Sequence, residues 1–414
     1  MGVVDVPRIL TPVPPPSRRL MDPYALDWLN LLLRWSHLIV GIAWIGSSFY
    51  FVWLDNTLLP PRRKADADEG VGGELWAVHG GGFYHVQKFR VAPAELPEPL
   101  HWFKWEAYTT WMTGFALLAV QYYANARTYM IDPAVADLAP WQAVAISLAL
   151  LVAGWVFYDQ LCKRAGLERE RLVAVVMISF VAVCAWGLSY LFAGRAMFLQ
   201  VGAMLGTMMA ANVFFVIIPS QRELVLAKER GEAPEAIHGL RGKQRSVHNN
   251  YFTLPVLFIM ISPHYPMTWG HTRAWLVLLA ILLIAAYVRH FFNLRHKGRT
   301  VWAIPVSAAL ATLALAFAIA PQRPDAAAAP PFERVQSIVV QRCASCHAQR
   351  PTQAGFDVAP KGVMLDTPER IVAAAAQIRE HTVTTKAMPI GNLTNMTDAE
   401  RHELGAWIAA GAKR

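Results

Sequence analysis

Cys343-Ala344-Ser345-Cys346-His347 sets two thiols and an imidazole within about one helical turn. This C-x-x-C-H spacing is the attachment signature of a c-type haem: two thiols add to the vinyl groups and the next histidine takes the iron. A second axial ligand is expected downstream, and pairing Met with His raises the haem potential. Met364, Met388 and Met396 follow. Met388 stands in Lys386-Ala387-Met388-Pro389, ahead of a helix predicted over residues 397–408 with Thr397 as N-cap and Glu400 three residues on. Cys343 and Cys346 are therefore the expected covalent haem sites, and His347 and Met388 the expected iron ligands. Met396 is read as a packing residue. The competing reading is a zinc or redox C-x-x-C, which leaves the adjacent histidine, the Met-Pro and the terminal helix unexplained.

The order C-x-x-C-H, loop, Met-Pro and a terminal helix bearing Trp407 resembles class I cytochrome c over residues 332–414. Haem is attached to such motifs outside the cytoplasm. Cys162 and Cys184 lie in or near apolar runs and read as small buried hydrophobes.

Three further constellations carry polar chemistry. His79 and His85 flank three glycines in residues 79–85, a pattern that lets backbone approach a ligand closely or simply makes a turn. Lys104 and Glu106 follow at 102–108, in W-F-K-W-E-A-Y. Ser246-Val247-His248-Asn249-Asn250-Tyr251 forms a second set, and Arg289-His290 with Asn293 and Arg295 a third. These side chains suit a flat, hydrogen-bonding anion; the plainer reading makes Lys104, Arg289 and Arg295 membrane-flanking anchors. His37 sits in an apolar run on one helical face with Gly41 and Trp44. Three readings compete for it: ligand to a b-type haem (with His290 as a further candidate), substrate or proton-relay group, or packed interhelical hydrogen bond. Asp159, Asn212 and Glu223 lie at helix ends and are read as solvated.

The elements that must hold these residues are membrane helices. Hydrophobic residues make up 55% of the 414 positions and charged residues 16%, against about 25% in soluble proteins. Eight apolar runs are read as spans, at roughly 27–54, 107–124, 141–161, 172–193, 197–219, 251–262, 274–292 and 301–320. The fold class expected is all-α: an eight-helix transmembrane bundle over 24–320, then a small α-helical cytochrome c domain over 332–414. Residues 1–23 are expected to be a disordered extension without a cleavable signal, Met21 being a possible start. Residues 321–331 are expected to be a Pro/Ala linker. Nineteen Lys and Arg occupy the loops after spans 1, 3, 5 and 7, against three (Arg127, Arg195, Arg273) in the others. The positive-inside rule places the first set in the cytoplasm, hence both termini and the cytochrome domain in the periplasm of a bacterial inner membrane. The net charge of +9 is thus mostly an orientation signal. Basic residues divided among loops, with no single aromatic-laced patch, argue against nucleic-acid binding, and four cysteines are too few for a disulfide scaffold.

The runs at 28–55, H-G-G-G-F-Y-H-V-Q-K at 79–88, W-F-K-W-E-A-Y at 102–108 and S-V-H-N-N-Y at 246–251, with the fused cytochrome motif, resemble the bacterial membrane-bound urate oxidases (urate hydroxylases). The resemblance implies oxidation of urate to 5-hydroxyisourate, with electrons passed through haem c to a cytochrome c oxidase or soluble cytochrome c and no hydrogen peroxide formed. On that footing His79 or His85 is the expected base, Lys104 or Arg289 holds the anion, His248, Asn249 and Asn250 read the ring, and Glu106 orients one of these groups. One difficulty follows: that site faces the cytoplasm, while haem c lies beyond a core of about 30 Å. Either a b-type haem at His37 bridges the gap, or urate binds within the bundle nearer the periplasm and His37 and Arg34 are substrate residues. Two other functions compete: a membrane-anchored electron carrier between quinol and a terminal oxidase, and a haem or copper transporter.

Overall fold

A computed structural model describes residues 23–320, 329–353 and 356–414. The extension expected over 1–23, apart from Pro23, and most of the 321–331 linker lie outside the described residues. The described chain is mostly helical. Its first part comprises α1 (Pro23–Thr57), α2 (Trp105–Leu117, continued by a π-turn at Leu118–Tyr123), α3 (Pro140–Ala165), α4 (Glu170–Leu188), α5 (Gly194–Asn212, running on to Glu229), α6 (Ala236–Ile261), α7 (Ala274–His296) and α8 (Ala303–Ala318). Five helices, at 24–57, 140–165, 170–188, 194–229 and 274–296, are long and apolar enough to cross a membrane, and α8 is a shorter apolar helix.

α5 forms the centre. Val201, Met204, Leu205 and Met208 are buried on it, against α3 and α6. Glycines permit the close approach: a Cβ on Gly202 would lie 2.3 Å from Ile259 of α6. α6 starts far earlier than the apolar run at 251–262 suggested. Its polar half, 236–250, stays helical because Arg245, Asn249 and Asn250 are buried and bonded to neighbouring helices.

The all-α expectation is corrected by one hairpin. β1 (Val71–His79) pairs antiparallel with β2 (Gly82–Phe89), and Gly80 and Gly81 close it at φ of +57° and +83°. A two-residue type I′ turn needs positive φ at both positions. The glycines between His79 and His85 therefore serve the turn.

The C-terminal residues build α9 (Phe332–Arg342), α10 (Pro368–Ala373) and α11 (Asp398–Ala409) around Val335, Ile338, Ile371, Leu404 and Trp407. Met396 is buried in this core, and the Thr397–Glu400 capping box forms as the spacing predicted. Arg342 binds both carboxylate oxygens of Glu400 at 3.0 and 3.1 Å. Burial pushes the Glu400 carboxyl up, yet the Arg342 guanidinium and the Thr397 N–H outweigh it and hold the group below the usual carboxylate range. A depressed carboxylate stabilises the fold above its unfolded value, about 4.3, and that contribution is lost as pH falls through the lower folded value. Glu400→Gln is accordingly expected to flatten the acid-side loss of stability, checked by denaturant titrations of the full chain between neutral and acidic pH.

This unit packs on one end of the bundle. A Cβ on Gly391 would lie 2.4 Å from the Thr128 carbonyl oxygen, and one on Gly270 2.1 Å from that of Thr385. The contact therefore involves segments on both sides of Met388, at Thr385 and Gly391, and the connections at 124–139 and 262–273.

Candidate active site

A cavity of about 590 Å³ lies between α1, α2, α5 and α6. Its polar lining is Arg34 and His37 of α1, Gln121 and Tyr122 after α2, Arg195 of α5, and His264. Trp44, Trp111 and Phe115 supply aromatic wall. Pro263 and His264 bring it to the end of the bundle that carries the C-terminal unit.

The cavity holds two guanidiniums with no carboxylate. Arg34 donates to Asn30 Oδ1 and Gln121 Oε1, both at 2.5 Å. Arg195 lies over the rings of Tyr122 and Tyr129, 5.8 and 5.4 Å from their centroids, and its buried Nε has no partner. Neither arginine is in an ion pair among the described residues. Cations in a low-dielectric setting without counterions favour an anionic ligand. His37 is oriented: Nδ1 lies 3.1 Å from the Thr110 carbonyl oxygen and 3.0 Å from Thr113 Oγ1. With the proton on Nδ1 donated to Thr110, Nε2 keeps its lone pair. Gly114 makes room for the ring, since a Cβ there would lie 2.9 Å from His37 Cε1. Gly114→Val is expected to displace the imidazole and lower turnover by up to about 10²-fold without loss of the fold, checked by kinetics beside thermal unfolding.

The residues singled out in the sequence do not converge on one site. His79 is exposed at the hairpin tip. His85 stacks on Trp76 (4.2 Å between centroids) and bonds Glu74 at 2.8 Å. The Arg62 N–H and His85 together hold the Glu74 carboxyl below its ordinary range. Lys104 lies over the Trp105 ring, and Glu106 Oε2 is buried without a partner. His248 spans Tyr158 (2.8 Å) and Glu170 (2.7 Å), and Asn249 bonds Asn212 and the Met209 carbonyl. The solvated reading of Asp159 and Asn212 is corrected: both are buried, Asp159 paired with Arg245 at 2.8 Å and Lys163 at 2.7 Å. Glu223 is exposed, as expected. Asn250 and Arg289 do meet, Arg289 Nε donating to Asn250 Oδ1 at 2.8 Å. His290 bonds Tyr251 through Nδ1, while His37 lines the cavity. Sequence reasoning missed Arg195, Gln121 and Tyr122; the available signal was that Arg195 is one of only three basic residues in its set of loops.

In the C-terminal unit the donor set fits a haem c. His347 Nδ1 bonds the Val363 carbonyl at 2.9 Å, which orients the other ring nitrogen as a metal ligand. Arg401 donates to the Met388 carbonyl at 2.6 Å and pins that segment. Cys343 and Cys346 are free thiols, and burial pushes Cys343 up to about 12. Among the described residues no three His, Cys, Asp or Glu side chains are grouped as metal ligands.

Apolar helices around a cationic, aromatic-walled cavity are compatible with a membrane protein that carries a buried polar site. The chain belongs to the urate oxidase N-terminal family, whose sequence model matches residues 23–320, the bundle and hairpin together. That membership supports a urate-related oxidoreductase. Comparison with curated proteins and with solved structures finds no match.

Proposed function

We propose that this protein is an eight-span enzyme of the bacterial inner membrane that oxidises urate to 5-hydroxyisourate in the α1–α2–α5–α6 cavity. A haem c held by the C-terminal, periplasmic domain would pass the electrons to a soluble cytochrome c or an oxidase, without hydrogen peroxide. The observation that carries the reading is Arg34 and Arg195, which have no carboxylate partner among the described residues, in one cavity with an oriented His37 at the end where the C-terminal unit packs. Of the two ways past the distance problem, this favours substrate near the periplasm over a b-type haem relay at His37.

Urate near neutral pH is a planar monoanion. Arg34 and Arg195 would hold its charge, Trp111 and Trp44 would face its ring, and Gln121 would read an edge. When bound at Cys343, Cys346, His347 and Met388, haem c supplies a one-electron acceptor, so each urate is oxidised in two successive losses. The balance per turnover is one urate anion and one water giving 5-hydroxyisourate, two electrons and one proton. The water oxygen bonds to C5 of the oxidised ring, and His37 Nε2 takes the water proton as that bond forms.

The test is anaerobic addition of urate while the α-band of haem c is followed. Reduction by urate and not by quinol is expected. Reduction by quinol alone would instead assign the protein as a membrane-anchored electron carrier with no substrate of its own.

A further inference from the structure

Arg289 is a buried cation with no part in the chemistry proposed above. Arg289 on α7 is 4% exposed, and its guanidinium carbon lies 3.9 Å from the centroid of Phe49 on α1. Nε is satisfied by Asn250, while Nη2 is buried without a partner. No carboxylate pairs with Arg289 among the described residues. The neighbourhood repeats the deficit. Eight buried side-chain nitrogen and oxygen atoms among the described residues lack partners, and four belong here: Arg289 Nη2, Asn250 Nδ2, Asn293 Oδ1 and His296 Nδ1. Residues 289, 293 and 296 share one face of α7 at i, i+4 and i+7, and Asn250 of α6 meets Arg289. An uncompensated charge among unmet donors in a membrane bundle is costly, and such groups mark ligand sites.

We infer that Arg289, Asn250 and Asn293 form a second anion site, distinct from the cavity. Its ligand accepts hydrogen bonds from Arg289 Nη2 and Asn250 Nδ2 and donates one to Asn293 Oδ1. An oxopurine anion carries carbonyl oxygens and N–H groups side by side and meets all three; a halide meets only the donors. The site lies one turn of α6 from the cavity, since Thr253, which lines the cavity, donates to the Asn250 carbonyl at 2.6 Å. It is placed as a station through which the substrate anion reaches the cavity from the opposite side of the bundle. Only the identity of the anion as urate rests on the proposed function.

The test is equilibrium binding of labelled urate to the full-length, haem-loaded protein, kept reduced and anaerobic so that no turnover occurs. Two urates per chain are expected. Arg289→Gln is expected to leave one, and Arg195→Gln to leave the other. Two urates retained in Arg289→Gln, or a single wild-type urate lost only in Arg195→Gln, would overturn the inference. A single urate lost in Arg289→Gln and kept in Arg195→Gln would fail the cavity reading and leave this one standing. Asn293→Leu keeps the charge and removes the acceptor; it is expected to exchange bound urate for chloride at this site. Chloride filling the wild-type site and excluding urate would overturn the oxopurine assignment. Should Arg289→Gln fail to fold, Asn293→Leu decides: two urates retained there overturn the inference, and one retained supports it.

Discussion

Replacing His37 with alanine, with haem c still attached, is expected to lower urate turnover by about 10²–10⁴-fold, the range over which a positioned general base acts. Thr110 and Thr113 hold one ring nitrogen, Gly114 leaves space for the ring, and His37 lines the cavity that Arg34 and Arg195 also line. The loss should fall on kcat, because the arginines that hold the anion remain. Steady-state kinetics with a cytochrome acceptor measure it, and the haem spectrum controls for loading. His79→Ala, at the exposed hairpin tip, is expected to leave turnover unchanged. A reversed result, with His79 essential and His37 dispensable, would return the chemistry to the hairpin.

Arg245→Met is expected to destabilise the bundle by about 3–5 kcal/mol, the usual consequence of stripping one partner from a buried pair. Arg245 is almost fully buried, donates to Asp159 at 2.8 Å, and lies over the Tyr158 ring, 4.8 Å from its centroid. Its removal strands the Asp159 carboxylate beside Lys163 alone. The companion change Asp159→Leu in the same chain should recover much of the loss, because two apolar side chains replace two charges. Thermal unfolding of the wild type, both single variants and the double variant measures the coupling. Additive losses would show that the pair acts separately.

The parts of this molecule legible in its sequence are those whose evidence is local. Five residues suffice for the C-x-x-C-H motif, and the Thr397–Glu400 capping box needs only a three-residue spacing. Long apolar runs are local too, which is why the main helices could be anticipated. Of the cavity only the α1 side, Arg34 and His37, was legible as one of two alternatives; Gln121, Arg195 and His264 were not, because the lining is spread over more than two hundred residues. Arg195 counted as an orientation charge until the fold set it over Tyr122 and Tyr129. Of the two readings of the glycines between His79 and His85, the turn holds, with positive φ at Gly80 and Gly81; the two strands flanking it were missed. The polar start of α6 looked like a loop; buried partners for Arg245 and Asn249 keep it helical.

The packing of the C-terminal unit against the end of the bundle that the cavity approaches has an electrical consequence. On the proposed arrangement the two electrons and the one proton of each turnover depart on the same face. The redox chemistry then displaces no charge through the hydrocarbon layer, and a membrane voltage worth about 2.3 kcal/mol per charge per 100 mV neither drives nor opposes it. Only the inward half of the substrate's own path would feel that voltage, and an interior-negative potential pushes an anion from the Arg289 station outward, toward the cavity.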